Sequence, residues 1–183
     1  DISEDEINEV IDTLKSGWIT TGPKTKELER RLSEFTTTPK TVCLNSATAA
    51  LELVLRVLDI GEGDEVIVPA MTYTACSVIY HVGAKAVIVD IQKDGHEMDY
   101  EALENAITEK TKAVIPVDLA GIPCDYDKIF EVVNAKKSLF KANSEYQEKL
   151  GRIAVVADGA HALGSVYKGV KVGAVADFTT FSF

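Results

Sequence analysis

The chain has 183 residues and a mass of 19.8 kDa, enough for one ordinary domain and short for two, and long enough to build a core without disulfide or metal staples. Apolar residues make up 46% and charged residues 26%, a soluble globular balance that excludes wholesale disorder. With 19 basic against 29 acidic residues the net charge is −10, so nucleic acid and anionic membrane are excluded as expected partners, and any anionic ligand has to be held by a local site.

Taken in chain order, Ser3 to Lys15 reads as a helix: Ser3 and Glu6 have the spacing of a capping box, and Ile7, Val10, Ile11 and Leu14 recur at helical period. Gly17 stops it, and a loop bracketed by Gly and Pro runs to Pro23. A second helix carries Leu28, Leu32 and Phe35 on one face, and Thr41 to Leu44 reads as a short strand. A strict alternation follows: helix Ala47 to Leu58, strand Glu65 to Pro69, helix near Ala75 to His81, strand Ala84 to Val89, helix Tyr100 to Ile107 and strand Lys112 to Val117. A long helical stretch from Tyr126 to Leu150, strand Ile153 to Ala157 and a last strand Asp177 to Phe183 complete the chain, with Asn134 to Lys149 as the expected exposed insertion. Short apolar runs separated by helices imply strands covered on both faces, hence an α/β fold with a mostly parallel sheet sandwiched by helices.

Cys43, Cys76 and Cys124 are odd in number and far apart, with no CxxC and no histidine at ligand spacing. This argues against a disulfide framework and a metal site, and fits a reducing, cytoplasmic setting. No apolar run approaches the length of a membrane span, and the acidic start lacks the features of a signal peptide. The first residue is not Met, which leads to the expectation that the chain is part of something longer.

Ligands of open α/β sheets sit beyond the carboxyl ends of the strands, so attention falls on Asn45 to Thr48, Ala70 to Tyr73, Asp90, Asp118 to Gly121 and Asp158 to His161. Asn45-Ser46-Ala47-Thr48 opens a helix with small residues. Its free N–H groups suit a phosphate, or Ser46 is simply an N-cap. The chain has neither GxxxxGK[ST] nor GxGxxG, which disfavours nucleoside triphosphates and dinucleotides. Asp158 ends an apolar strand, where a carboxylate pairs well with a cationic ring nitrogen; His161 follows three residues on. The alternative is a turn-capping Asp and a core His. Tyr73 is either a stacking aromatic or a core one, and Ser182, on the last strand, is a further hydroxyl for a phosphate.

The order of these blocks is distinctive. It runs Gly-Trp-Ile-Thr-Thr-Gly-Pro, Asn-Ser-Ala-Thr-Ala-Ala-Leu, Pro-Ala-Met-Thr-Tyr-Thr-Ala, Ala-Asp-Gly-Ala-His-Ala-Leu-Gly and Phe-Ser-Phe. Over essentially its whole length the chain resembles the DegT/DnrJ/EryC1/StrS sugar aminotransferases, which depend on pyridoxal phosphate and have the aspartate-aminotransferase (fold-type I) architecture. The resemblance implies that Ala47 and Thr48 hold the cofactor phosphate, with Ser182 as a further partner. It implies that Tyr73 stacks on the pyridine ring, that Asp158 binds the ring nitrogen and that His161 lies near the phenolic oxygen. It further implies transfer of an amino group from an amino-acid donor, commonly glutamate, to a nucleotide-linked keto-sugar. Surface polysaccharide and antibiotic sugars are the family's usual products, and its sites lie at a homodimer interface.

Three residues depart from the family pattern: Ala47 stands where Gly is common, Tyr73 where Phe or Trp is usual, and Asp118 where a His often precedes Leu-x-Gly. In the family, Phe-Ser-Phe is followed by His-x-x-Lys, whose Lys forms the Schiff base. This chain ends at Phe183 and has no lysine at the matching place. The expectation is a large cofactor-binding domain over residues 1–183, cut before that lysine and without the family's C-terminal small domain, so not itself competent for turnover. Two alternatives are a nucleotide-sugar dehydratase, in which His replaces the lysine, and a non-catalytic α/β fragment.

Overall fold

A computed structural model describes residues 2–183. The chain divides into two compact units, residues 1–43 and 44–183.

The first unit holds α1 (Glu4–Ser16) and α2 (Pro23–Thr36). Ser3 caps α1 through a complete capping box with Glu6, and Gly17, with φ 74°, closes it in the left-handed conformation that Gly adopts without a Cβ penalty. Pro23 opens α2 at a position where a helix has no use for the missing N–H. Thr41 to Leu44 forms no strand: there is no ladder partner, and the Cys43 amide donates to Glu29 Oε1 at 2.9 Å instead.

The second unit is a five-stranded sheet with helices on both faces. Its strands are β1 (Glu65–Pro69), β2 (Lys85–Val89), β3 (Thr111–Val114), β4 (Ala154–Asp158) and β7 (Phe178–Thr180), in the order β2-β1-β3-β4-β7. All four pairings are parallel. Strand residues alternate between the two layers, as the two-residue period of a strand requires. Val66, Val68, Ala113, Ile115, Ala154 and Val156 pack beneath α3 (Ala47–Val57) and α4 (Thr74–His81). Ile67, Val114, Val155 and Ala157 pack beneath α5 (Tyr100–Ala106) and α6 (Tyr126–Ala135). The expected α/β architecture is therefore present, and its sheet is wholly parallel.

The chain leaves β1 for the edge strand β2, then crosses back over the opposite face to β3. That reversal puts a crevice at the carboxyl ends of β1 and β3, the usual ligand position of such sheets. At the other end, Arg152 grips Asp177 with two hydrogen bonds of 2.7 and 2.8 Å, and Asp177 also accepts from the Val155 amide at 2.8 Å. This clamp fixes the start of β7 against β4.

The long helical stretch expected from Tyr126 to Leu150 is two helices. α6 ends at Ala135, a 3-10 turn covers Lys137–Leu139, and α7 spans Glu145–Leu150. Helix-forming composition hid the break; the signal was Ser144, which caps α7 by accepting from the Gln147 amide. Most of Asn134 to Lys149 is exposed, as expected, but the segment is anchored: Leu139 and Phe140 pack on the core, and Gln147 is fully buried. Two further edges moved. The third strand stops at Val114, before Pro116, although Val117 still bridges to Asp158. The last strand stops at Thr180. A short hairpin, β5 (Val166–Tyr167) and β6 (Val170–Lys171), was not expected; it turns on Lys168 and Gly169, both at positive φ.

Gln147 donates to Leu58 O at 2.7 Å and accepts from the Asn143 amide at 3.0 Å. Gln147→Ala would remove both bonds, leaving the Leu58 carbonyl with only the Ser144 hydroxyl, which donates to it at 3.1 Å. The expected loss is about 2 kcal/mol of unfolding free energy, read by urea denaturation; a change below about 0.5 kcal/mol would show that α7 contributes little.

Candidate active site at the carboxyl end of the sheet

α3 runs back across the sheet to feed β1, so its first turn lies at the carboxyl end of the strands. Ser46 does cap this helix: its Oγ accepts from the Ala49 amide at 3.1 Å. That bond uses the third N–H of the first turn and leaves those of Ala47 and Thr48 without a partner among the described residues. The N-cap reading and the anion-site reading therefore hold together. Two unpaired N–H groups at the positive end of an 11-residue helix are a local anion site within an acidic protein.

Asp158 closes β4 and is 9% exposed. Its backbone is locked into the sheet, with its N–H given to Pro116 O at 2.9 Å and its C=O accepting from the Asp118 amide at 3.0 Å. Of the two carboxylate oxygens, Oδ1 accepts from the Ala160 amide at 3.2 Å, and Oδ2 takes no hydrogen bond among the described residues. Burial pushes this carboxyl above the usual range, while the Ala160 amide and nearby His161 pull it back. A buried carboxylate with one oxygen unpartnered is a receptor for a cationic N–H.

His161 is exposed, not a core residue. Its Nδ1 accepts from the Ala120 amide at 3.3 Å. Tyr73 is 89% exposed at the start of α4, which removes the core-aromatic reading and leaves its ring faces free. Tyr73 lies four residues past β1 and Asp158 ends β4, and these two strands are two strand spacings apart, about 10 Å. Ser182 lies two residues past β7, not on it, and is exposed. Thr180 pairs with Asp158 across the ladder, so Ser182 leaves the sheet beside the β4 carboxyl end. Gly159 carries that junction: its N–H binds Thr180 O at 2.9 Å, and a Cβ there would lie 3.0 Å from Thr179 Cγ2.

Two other scrutinised acids are not part of this set. Asp90 caps its own turn at the far edge, its Oδ1 accepting from the Ile91 amide at 2.8 Å. Asp118 is fully buried and already satisfied, by the Cys124 amide at 2.9 Å and the Tyr126 hydroxyl at 2.7 Å. It is a turn residue, whose carboxylate holds the segment that follows β3. Motif reasoning did not reveal its partners, because Cys124 and Tyr126 carry no pattern of their own. A separate groove of about 540 Å³ lies in the first unit between α2 and residues 37–41. Its Arg30 is already paired with Glu27 and Glu34, so it offers no comparable site.

With this geometry in hand, the comparisons with known proteins are decisive at the family level. The model of the DegT/DnrJ/EryC1/StrS aminotransferase family matches residues 1–183, the whole chain. The chain belongs to this family. A putative sugar aminotransferase, Spr1654 from Streptococcus pneumoniae, superposes in its PMP form with a TM-score of 0.99 at 70% identity, covering 100% of this chain and 46% of that one. Among curated relatives, the uncharacterized protein MJ1066 of Methanocaldococcus jannaschii is 46% identical over 183 residues, 44% of its length. A UDP-4-amino-4-deoxy-L-arabinose–oxoglutarate aminotransferase of Shewanella sediminis is 44% identical over 173 residues, 94% of this chain and 41% of that protein. The chain thus spans less than half the length of the relatives it matches.

Burial pushes Asp118 up to about 6. Between the ordinary carboxyl value near ~4 and that value, the folded protein keeps a proton that the unfolded chain has released. Stability from this group is therefore whole below the window and lost as the pH rises through it, by about 3 kcal/mol. Asp118→Asn removes the dependence: relative to wild type the variant should gain about 3 kcal/mol between acid and neutral pH, in paired urea titrations. A pH-independent difference would contradict the burial of an ionising carboxyl here.

Proposed function

We propose that residues 1–183 are the cofactor-binding large domain of a pyridoxal-phosphate-dependent sugar aminotransferase. The carrying observation is the pairing of two unpartnered N–H groups, on Ala47 and Thr48, with a buried, half-satisfied carboxylate, Asp158, at one end of one sheet. A phosphorylated, cationic heterocycle needs those two things, so the residues fit the group. The likeness to a structure in its PLP form, at 70% identity and a TM-score of 0.99, supports the same reading.

On this reading the first turn of α3 fixes the phosphate through the Ala47 and Thr48 amides, with the Thr48 and Ser182 hydroxyls beside it. Tyr73 covers a ring face and, being exposed in the free protein, gains apolar burial by doing so. Asp158 holds the proton on the ring nitrogen. A cationic partner there offsets the cost of burying its charge and favours the ionised carboxyl. His161, with Nδ1 already accepting, presents Nε2–H as a donor to an anionic oxygen on the ring. When bound, the cofactor supplies the electron sink and carries the amino group between donor and acceptor.

The covalent lysine and a second domain are proposed to lie outside residues 1–183, consistent with a chain that spans under half of its relatives. For the whole protein we propose glutamate as the amino donor and a nucleotide-linked keto-sugar as the acceptor, with a cytoplasmic homodimer as the working form. The relative named for UDP-linked amino-arabinose and oxoglutarate supports both substrate classes. No helix among the described residues is long and apolar enough to cross a membrane.

Pyridoxal phosphate should bind the chain and raise its unfolding free energy, by about 2.7 kcal/mol at a hundredfold excess over Kd. Asp158→Asn should keep the fold and weaken binding at least about tenfold, roughly one charge-assisted hydrogen bond. In the whole protein the same change should cut amino transfer by orders of magnitude. No absorbance change at millimolar cofactor, or equal binding by the variant, would overturn the reading.

A further inference from the structure

The loop after β3 and the loop after β4 are joined by contacts that govern how His161 is held. Residues Leu119–Gly121 form a 3-10 turn, within which Ala120 has φ 55° and Gly121 has φ 79°. For Ala, with a Cβ, the left-handed region is unfavourable and persists only where its surroundings hold it. Two contacts hold it here. The Ser165 hydroxyl donates to Gly121 O at 2.7 Å, and the Ala120 amide donates to His161 Nδ1 at 3.3 Å. Ser165 is itself fixed, its N–H given to Ala162 O and its C=O accepting from the Val172 amide, both at 3.0 Å. Space is tight: a Cβ at Gly121 would meet His161 O at 3.1 Å and Ser165 Oγ at 3.3 Å.

We propose that the strained Ala120–Gly121 turn, tethered by Ser165, is a positioning device that locks His161 in the neutral tautomer carrying its proton on Nε2. The physical reason is the direction of one bond. A backbone N–H can only donate, so the nitrogen it faces must keep its lone pair, and the single proton of a neutral imidazole is left on the other nitrogen. Nε2 has no partner among the described residues and the ring is exposed, so the N–H it carries is offered outward. Ser165 and Gly121 act through His161 and touch no ligand. The consequence for a bound ring, that His161 gives a hydrogen bond to an anionic oxygen, rests on the proposed function; the locked tautomer does not.

The test needs no cofactor, so its failure and failure of the cofactor assignment are separate results. In ¹⁵N-labelled protein at alkaline pH, the imidazole nitrogens of His161 report which one carries the proton. Wild type should show the Nε2–H form alone, and the Ala120 amide should exchange slowly with solvent. Ser165→Ala should show both tautomers, with Ala120 exchange about tenfold faster, as for loss of one hydrogen bond. Ser165→Thr, which keeps the hydroxyl, should restore the wild-type pattern. Gly121→Ala, if it folds, should behave as Ser165→Ala. A proton on Nδ1 or a mixture of tautomers in wild type would overturn the proposal. So would a Ser165→Ala protein indistinguishable from wild type by both readouts.

Discussion

The site depends on a carboxylate largely buried at the end of a strand. Asp158 is covered because β4 lies between β3 and β7 in a sheet packed on both faces, and its backbone is bonded to Pro116 and Asp118 on one side and paired with Thr180 on the other. In water the carboxyl would have no preference for a weak cationic donor. Here one oxygen lacks a partner and burial disfavours the free charge, so a cationic N–H, such as the ring nitrogen of the proposed cofactor, would satisfy both. The rest of the site can be understood as the means of presenting a ligand to that oxygen.

The net charge of −10 makes the anion end of the site a matter of local geometry. Ser46 consumes one N–H of the α3 first turn and leaves two, and the direction of α3 delivers them to the same end of the sheet as Asp158. A helix of opposite direction would have put its negative end there. Parallel topology thus does chemical work: each strand ends, and each helix begins, on the same side.

Much of this was legible in the sequence because it is set by neighbours in the chain. Strand Glu65–Pro69 was found to the residue, as were the starts of α3 and α5, since caps and apolar runs are local signals. Asp158, Ala47 and Tyr73 were legible as element ends, where α/β sheets keep their ligands. The misses share a physical cause. Thr41 to Leu44 has strand-like residues and no partner strand; Tyr126 to Leu150 has helix-forming composition, yet Phe140 leaves the helix to pack on the core. Ser182 read as strand but lies beyond the last ladder bond. The Ala120 amide, Gly121 and Ser165 had no signature, because a backbone N–H has no side chain to announce it and the contacts span about forty residues. The one hint was Gly121 itself, in a loop already under scrutiny.

The most direct measurement is ¹⁵N NMR of pyridoxal phosphate labelled at its ring nitrogen and bound to the protein. If Asp158 organises the site, the bound nitrogen stays protonated well above the pH at which the free cofactor releases that proton, and Asp158→Asn abolishes the difference. A ring nitrogen that titrates in the wild-type complex as it does in free solution would contradict the whole arrangement.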